Sequence, residues 1–128
     1  MTLLDASIIV DALRAKDLQL IGQMNSVGGA VCGVTRAEIF AGARGPKDRA
    51  KLLTILDGFQ QVSIPDAMWD KVGDVQAQLR TGGVTIPLAD AVLTTVALAL
   101  DVELWARDTD FNHIQPILSA LKLYRENP

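Results

Sequence analysis

The feature that most constrains the fold is an uncharged run over residues 91–100, which follows directly on Asp90. A helix over this run is apolar nearly all round, and such a helix is buried. Residues 103–106 then read as a short strand, with Asp108 and Asp110 where that strand stops. In an open α/β sheet, helix starts and strand ends share the edge where ligands bind. The run therefore predicts a buried helix flanked by carboxylates at a ligand-binding edge.

Length and composition predict a single domain covering residues 1–128, because this length suffices for one sizeable core. Mean hydropathy is +0.24, so we expect some apolar surface to meet a partner. No apolar run approaches the roughly 20 residues that span a bilayer. The start M-T-L-L-D lacks the basic region and cleavage site of a signal peptide. With the single cysteine, Cys32, these features predict a cytoplasmic protein without membrane contact.

Strands and helices are predicted to alternate along the chain. Strands are expected at residues 2–4, 30–33, 62–64 and 103–106, with an edge strand within 117–124, and helices are expected to start near Ser7, Asp17, Thr35, Pro46 and Pro65. The residues proposed as starts are ones that favour helix caps or first turns. This alternation indicates an α/β fold with a mostly parallel sheet.

Four carboxylates fall at junctions that right-handed crossovers bring to one edge of such a sheet: Asp5, Glu38, Asp90 and Asp108. Two charges about 5 Å apart at an effective dielectric near 20 repel by roughly 3 kcal/mol. Protons or divalent cations must relieve that repulsion. Oxygen ligands favour a hard cation, Mg²⁺ or Mn²⁺. The single cysteine and single histidine exclude a Cys/His zinc site within one chain.

Each acid also has a purely structural interpretation. Glu38 completes a capping box with Thr35, and Asp90 favours the dipole of its helix. Residues 108–110 fit an Asx turn that caps the next helix. Asp5 is harder to explain in this way, because an apolar strand that runs into an acid has no local need of one. The joint placement of these acids, rather than any one of them, favours a functional site.

Four motifs in order along the chain carry a family resemblance. They are L-L-D-A-S-I-I-V-D-A-L at 3–13, T-R-A-E-I at 35–39, P-L-A-D-A at 87–91 and A-R-D-T-D-F at 106–111. They resemble the motifs of PIN-domain proteins, and their order and spacing most resemble the VapC-type toxins of bacterial toxin–antitoxin pairs. The resemblance covers essentially the whole chain. It implies an α/β/α sandwich with a parallel central sheet and a Mg²⁺- or Mn²⁺-dependent endoribonuclease.

The resemblance also implies site residues and partners. By matching motif, the catalytic and metal-binding acids are Asp5, Glu38, Asp90 and Asp108, with Asp110 as a secondary metal ligand, Ser7 supporting the first acid and Thr35 preceding the family Glu. These acids would hold one or two cations that activate water for in-line attack on RNA. The implied partners are a cognate antitoxin and a second copy of the chain in a homodimer. Two positions depart from the pattern: Arg107, where Asn or Thr is more usual, and Ser7, where Asn is also common.

Basic residues cluster beside Glu38 in a chain whose net charge is −3. The cluster consists of Arg36, Arg44, Lys47, Arg49 and Lys51. It is interpreted as a phosphate-contacting rim, as a solvated helical surface or as a docking surface for an antitoxin. Arg14 and Arg107 are further candidates for RNA contact.

Two other interpretations stay open. The first is a non-catalytic, Mg²⁺-binding signalling module of the receiver type, with Asp57 as phospho-acceptor. Against it, the paired acids expected at the first strand are missing, and no lysine follows a late strand. The second is a degenerate PIN domain that acts only as a scaffold, which the intact acid set opposes. His113 is interpreted as a surface residue rather than a catalytic base.

Overall fold

The computed structural model describes residues 1–126 as a sheet of short strands packed between helices. The strands are β1 (Thr2–Leu4), β2 (Gly29–Cys32), β3 (Gln60–Val62), β4 (Glu103–Trp105) and β5 (Lys122–Leu123). The helices are α1 (Ala6–Arg14), α2 (Leu18–Ser26), α3 (Gly33–Ala41), α4 (Pro46–Asp57), α5 (Met68–Thr81), α6 (Leu88–Leu100) and α7 (Asp110–Ile114).

All strand pairs of the sheet are parallel, and the strand order is β3-β2-β1-β4-β5. Thr2 pairs with Gly29 on one side of β1, and Leu4 pairs with Trp105 on the other. The order reverses direction between β1 and β4, which makes the carboxyl ends of these two strands the switch point of the sheet. A crevice forms at such a point in parallel α/β folds. The parallel sheet predicted from the alternating pattern is confirmed.

Successive strand residues point to opposite sides of the sheet and so divide the core in two. Leu3 and Leu104 pack with α5, α6 and α7, whereas Leu4 and Trp105 pack with α1, α2, α3 and α4. Helices thus cover both faces, and the expected α/β/α sandwich is confirmed. The uncharged run forms most of α6, in which residues 90–97 are all buried.

The predicted boundaries of the third strand and of the helix after it are wrong. The third strand lies at Gln60–Val62 rather than 62–64, because its register is set by pairing with Ala30–Cys32. The following helix begins at Met68 rather than at Pro65. Residues 65–67 instead form a turn, in which the Met68 N–H donates to the Pro65 carbonyl at 2.9 Å.

The C-terminal segment forms the predicted edge strand. β5 pairs with β4, and the Tyr124 N–H continues the ladder by donating to the Leu104 carbonyl at 2.9 Å. The Tyr124 ring stacks on the buried ring of Trp105, with centroids 4.1 Å apart. Among the helices of residues 1–126, none is long and apolar enough to cross a membrane.

Candidate metal centre

Asp5 lies at the carboxyl end of β1 and is the N-cap residue of α1. Its Oδ2 accepts hydrogen bonds from the backbone N–H of Ser7, at 3.1 Å, and from the Ser7 hydroxyl. Two predictions are therefore wrong: Ser7 does not cap α1, and Asp5 has a local structural role. Asp5 holds the extended backbone of a cap residue, with φ −80° and ψ 156°, whereas Ser7 is already helical. Burial raises the pKa of Asp5, and the hydrogen bonds from Ser7 oppose that rise.

Asp90 is in the first turn of α6, at the same edge of the sheet. The side chain is only 7% exposed, and its Oδ2 is buried without a hydrogen-bond partner among residues 1–126. Burial, followed by the charges of Asp5, Asp108, Asp110 and Glu38, raises the pKa of Asp90 to about 7. An acid in this position is costly when charged unless something outside the described side chains compensates it.

Asp108 and Asp110 flank the start of α7, just beyond β4. The Asp110 N–H donates to Asp108 Oδ1 at 2.9 Å, so the predicted Asx turn is present. One carboxylate oxygen from each of Asp90, Asp108 and Asp110 lies within 4.8 Å of the others. The turn does not exclude a second role, because a carboxylate accepts more than one contact.

Glu38 and Thr35 both lie inside α3, and the capping box predicted for them is wrong. The helix begins at Gly33, two residues earlier than expected, and has no side-chain cap. The fully buried Thr35 hydroxyl instead donates to the Leu4 carbonyl at 3.3 Å, which ties α3 to the end of β1. Glu38 is exposed. Its carboxylate is nevertheless partly desolvated, and this raises its pKa first, followed by the charges of Asp5 and Asp108.

The five acids therefore share one electrostatic environment, although their elements lie far apart in sequence. Besides burial, the pKa of Asp90 is raised by all four other carboxylates, and none of its causes is a neighbouring cation. A hard divalent cation fits this set for two reasons. All its donors are oxygen atoms, and one buried oxygen, Asp90 Oδ2, has no partner in the described part of the chain.

Two of the arginines proposed for RNA contact are engaged in ion pairs. Arg36 lies 3.0 Å from the Asp57 carboxylate and packs over the Phe40 ring. Arg107 pairs with Asp11 and Glu126. Their roles in RNA contact stay predictions, but these side chains already have partners.

Arg14 and Arg44, which were also proposed for RNA contact, line a groove of about 470 Å³ that includes Glu38. Its cationic residues are Arg14, Lys16, Arg44 and Lys51, its acidic residues are Glu38 and Asp48, and apolar residues of α1, α3 and α4 line the rest. Lys47 is exposed in the first turn of α4. No sequence pattern selects Lys16, which is remote from the basic cluster along the chain and comes beside it through the packing of α1 on α3.

Asp57 does not support the receiver interpretation. It is the last residue of α4, whereas a phospho-acceptor of that kind would have to end a strand at the sheet edge. Its carboxylate is paired with Arg36. His113 is exposed on α7, as expected for a surface residue.

A family model described as PIN domain matches residues 2–115. No curated protein matches the sequence significantly.

Several solved structures share the fold. VapBC2 from Rickettsia felis bound to a DNA fragment from their promoter has 18% identity and a TM-score of 0.76, covering 96% of this chain and 96% of its own. FitAcB from Neisseria gonorrhoeae has 19% identity and a TM-score of 0.75, covering 98% of this chain and 97% of its own. A toxin–antitoxin complex from Klebsiella pneumoniae has 18% identity and a TM-score of 0.72, covering 96% and 100%. At these identities the likeness shows the fold alone.

Proposed function

Because this chain belongs to the PIN domain family, we propose that it is a Mg²⁺- or Mn²⁺-dependent endoribonuclease and the toxin of a toxin–antitoxin pair. The observation that carries the proposal is the buried, unpartnered Oδ2 of Asp90, set among four other carboxylates of the described chain. Such an arrangement costs stability on its own, and a function that uses the acids together accounts for it.

The proposed ligands are Asp90, Asp108 and Asp110, with Asp5 and Glu38 completing the set. The first three already offer oxygens within 4.8 Å of one another. When bound, a divalent cation would lower the pKa of a water molecule and stabilise negative charge on a phosphate. The chain's own contribution is to hold the acids in place at one edge of the sheet. Folding raises the pKa of Asp5, Glu38 and Asp90, so the charge of a bound cation would be what favours their ionised forms.

Two hydroxyl groups support this set. Ser7 holds Asp5 by donating to its Oδ2, and Thr35 ties α3, which carries Glu38, to the end of β1. The first contact fixes the Asp5 side chain at the end of β1, and the second fixes the helix of Glu38 against the same strand. We propose supporting roles for them on that basis.

We propose that RNA approaches along the groove formed by α1, α3 and α4. Arg14, Lys16, Arg44 and Lys51 line it, and it adjoins Glu38. In a chain of net charge −3, such a local cationic surface is what phosphate binding requires. Two rim candidates remain. Lys47 lies exposed at the start of α4, and the Arg49 guanidinium packs over the Phe40 ring, 4.7 Å from its centroid.

The proposed protein partners are a cognate antitoxin and a second copy of the chain. An antitoxin would cover apolar surface and place a basic residue or a tail end among the five acids. Large exposed apolar side chains, such as Trp69 at 45% and Leu18 at 80%, support protein contacts of this kind. Sedimentation of the purified chain over a range of concentrations tests the homodimer.

The test of the proposed activity is cleavage of a defined structured RNA by the purified chain, with Mg²⁺, with Mn²⁺ or with EDTA. The parent is compared with Asp90→Asn and with the control Asp74→Asn, which changes an exposed acid on α5 away from the five acids. We expect cleavage that needs metal, survives in the control and falls at least about 100-fold in Asp90→Asn. Cleavage by Asp90→Asn at the parent rate would refute the mechanism. Cation binding without cleavage of any RNA would favour a binding module.

A further inference from the structure

We propose that Arg107 is a positioning residue, which acts through its backbone N–H and Ser7 to orient Asp5. Its guanidinium joins the C-terminal segment and α1 to the loop between β4 and α7. That loop carries the amide that holds the Ser7 hydroxyl. This inference rests on the proposed function, because it assigns the contact a purpose only if Asp5 is a cation ligand.

The guanidinium of Arg107 is bound from two sides. On one side it forms a bidentate salt bridge with Glu126, with Nε 3.1 Å from Oε2 and Nη2 2.7 Å from Oε1. On the other side Nη1 lies 3.4 Å from Asp11 Oδ2 on α1. Planar two-pronged pairing restricts both the position and the orientation of the guanidinium. Three separate segments of the chain are thereby joined at one residue.

The backbone of Arg107 makes the contact that reaches the acids. Its N–H donates to the Ser7 hydroxyl oxygen at 2.9 Å. A serine hydroxyl has one hydrogen to donate, and here that hydrogen is directed to Asp5 Oδ2. The amide of residue 107 therefore keeps the hydroxyl in the orientation that supports Asp5. If the amide moved away, the hydroxyl would be free to rotate toward water.

Packing alone does not hold this loop against the C-terminal segment. A cavity of about 130 Å³ lies between them, lined on the loop side by Arg107 and Asp108 and on the other by Leu123 and Tyr124. Where side chains do not fill the space, the position of a loop depends on its specific polar contacts. The Arg107–Glu126 pair is such a contact, beside the stacked rings of Trp105 and Tyr124.

The environment of Glu126 agrees with a stable contact. Hydrogen bonding from Arg107 is the main reason that the pKa of Glu126 is lowered. The Trp105 indole N–H also acts in this direction, although it makes no hydrogen bond of standard geometry within residues 1–126. The RNA contact predicted for Arg107 would require its guanidinium to leave these carboxylates.

The test measures hydrogen exchange of the Arg107 amide by NMR, in metal-free protein, so that it does not depend on activity. Glu126→Gln and Asp11→Asn each remove one ionic partner and leave residue 107 unchanged. Asp101→Asn is the matched control, because it breaks the exposed Lys122–Asp101 pair, which ties β5 elsewhere. Asn also tolerates the left-handed backbone of residue 101, φ 54°. Ser7→Ala removes the acceptor of the Arg107 N–H and so gives the exchange rate expected when the hydrogen bond is lost completely.

We expect the Arg107 amide to exchange about two- to fivefold faster in Glu126→Gln, to a smaller extent in Asp11→Asn, and at the parent rate in Asp101→Asn. Ser7→Ala should show the largest acceleration. Unchanged exchange in Glu126→Gln, or equal acceleration in Asp101→Asn, would overturn the proposal.

A second readout is Mn²⁺ affinity by calorimetry. Glu126→Gln should weaken binding severalfold in the parent but add little in a Ser7→Ala background, because both changes act on the same contact. Equal weakening in both backgrounds would overturn the route through Ser7. Absence of Mn²⁺ binding by the parent would instead count against the proposed function, and the exchange result would still decide whether Arg107 holds the contact.

Discussion

At the residue scale, Asp90 combines two properties that conflict in a protein without metal. It is nearly buried, and its carboxylate lies among four other acids. Its pKa is raised from 3.8 to about 7, so the folded protein keeps a proton that the unfolded chain has already lost. Between these two values, folding is linked to proton uptake, and rising pH costs stability.

The first prediction concerns this linkage. In EDTA, the melting temperature should fall as pH rises from 5 to 8. Ionisation of Asp90 becomes favourable over this range in the unfolded chain but is opposed in the folded protein, where its pKa is raised. Asp90→Asn should reduce that slope and be more stable than the parent at pH 8. Calorimetric melting at several pH values measures both effects. Some slope should remain, because burial also raises the pKa of Asp5 and of Glu38.

The control for this measurement is Asp74→Asn, which should retain the parent slope. A parent-like slope in Asp90→Asn would show that Asp90 does not carry the linkage.

The second prediction follows from the same proton. Mn²⁺ should raise the melting temperature more at pH 8 than at pH 6, because the cation requires the ionised form of Asp90. At 100 times its dissociation constant a ligand stabilises the folded state by about 2.7 kcal/mol. Thermal melts with and without Mn²⁺ measure the shift, and Asp108→Asn should lose most of it. A shift of equal size at both pH values would contradict proton displacement.

At the scale of the element, the junction between β1 and α1 gives one residue two duties. Asp5 caps α1 through the Ser7 N–H and is also a proposed cation ligand. The two duties are separable by substitution, because asparagine caps helices as well as aspartate does but carries no charge.

The third prediction uses that difference. In EDTA, Asp5→Ala should lower the free energy of unfolding by about 1 kcal/mol, whereas Asp5→Asn should stay close to the parent. Both should bind Mn²⁺ weakly. Urea unfolding gives the first quantity and calorimetric titration the second. Equal unfolding free energies for the two variants would mean that the cap contributes nothing to stability.

The elements also show how far sequence reasoning reaches. The buried helix α6, the strand before Asp108 and the Asp17 cap of α2 were all predictable, because each depends on local patterning. The proposed box of Thr35 and Glu38 failed although its spacing was correct. The chain enters α3 directly from β2 at Cys32, so Thr35 is already helical and its hydroxyl bonds to β1 instead.

Contacts between residues far apart in the sequence could not be predicted from the local sequence pattern. Arg107 lies 96 positions from Asp11 and 19 from Glu126, and no periodicity relates them. The gathering of five acids at one edge was predictable from topology, because parallel strands align their carboxyl ends. Their distances and the buried oxygen of Asp90 required the three-dimensional packing.

At the scale of the whole molecule, charge is distributed unevenly. The crevice is acidic, whereas the neighbouring groove is lined by four basic and two acidic residues, an excess of positive charge in a chain of net charge −3. A polyanion would be repelled by the first and attracted by the second until a cation binds. Binding to RNA should therefore depend on the groove.

The fourth prediction tests that dependence in the Asp90→Asn background, where RNA is not cut. The double variant Arg14→Gln, Arg44→Gln should bind RNA about tenfold more weakly. The slope of log K against log salt concentration should also become less negative by about one to two, because roughly 0.7 ion is released for each phosphate contact to a single strand. Fluorescence anisotropy across a salt series measures both quantities. The control Arg80→Gln, at the exposed end of α5, should change neither. An unchanged salt slope in the double variant would remove the groove from the RNA path.

The strand order β3-β2-β1-β4-β5 has a consequence for synthesis. The acids are collected from positions 5, 38, 90, 108 and 110, and β4, which places the last two, pairs with β1 at the start of the chain. A ribosome that has translated the chain no further than residue 100 has therefore made three of the five carboxylates and no β4 to bring the others beside them. Under the proposed function, a nascent copy could not cut the messenger from which it is being read until residues 103–110 have left the ribosome.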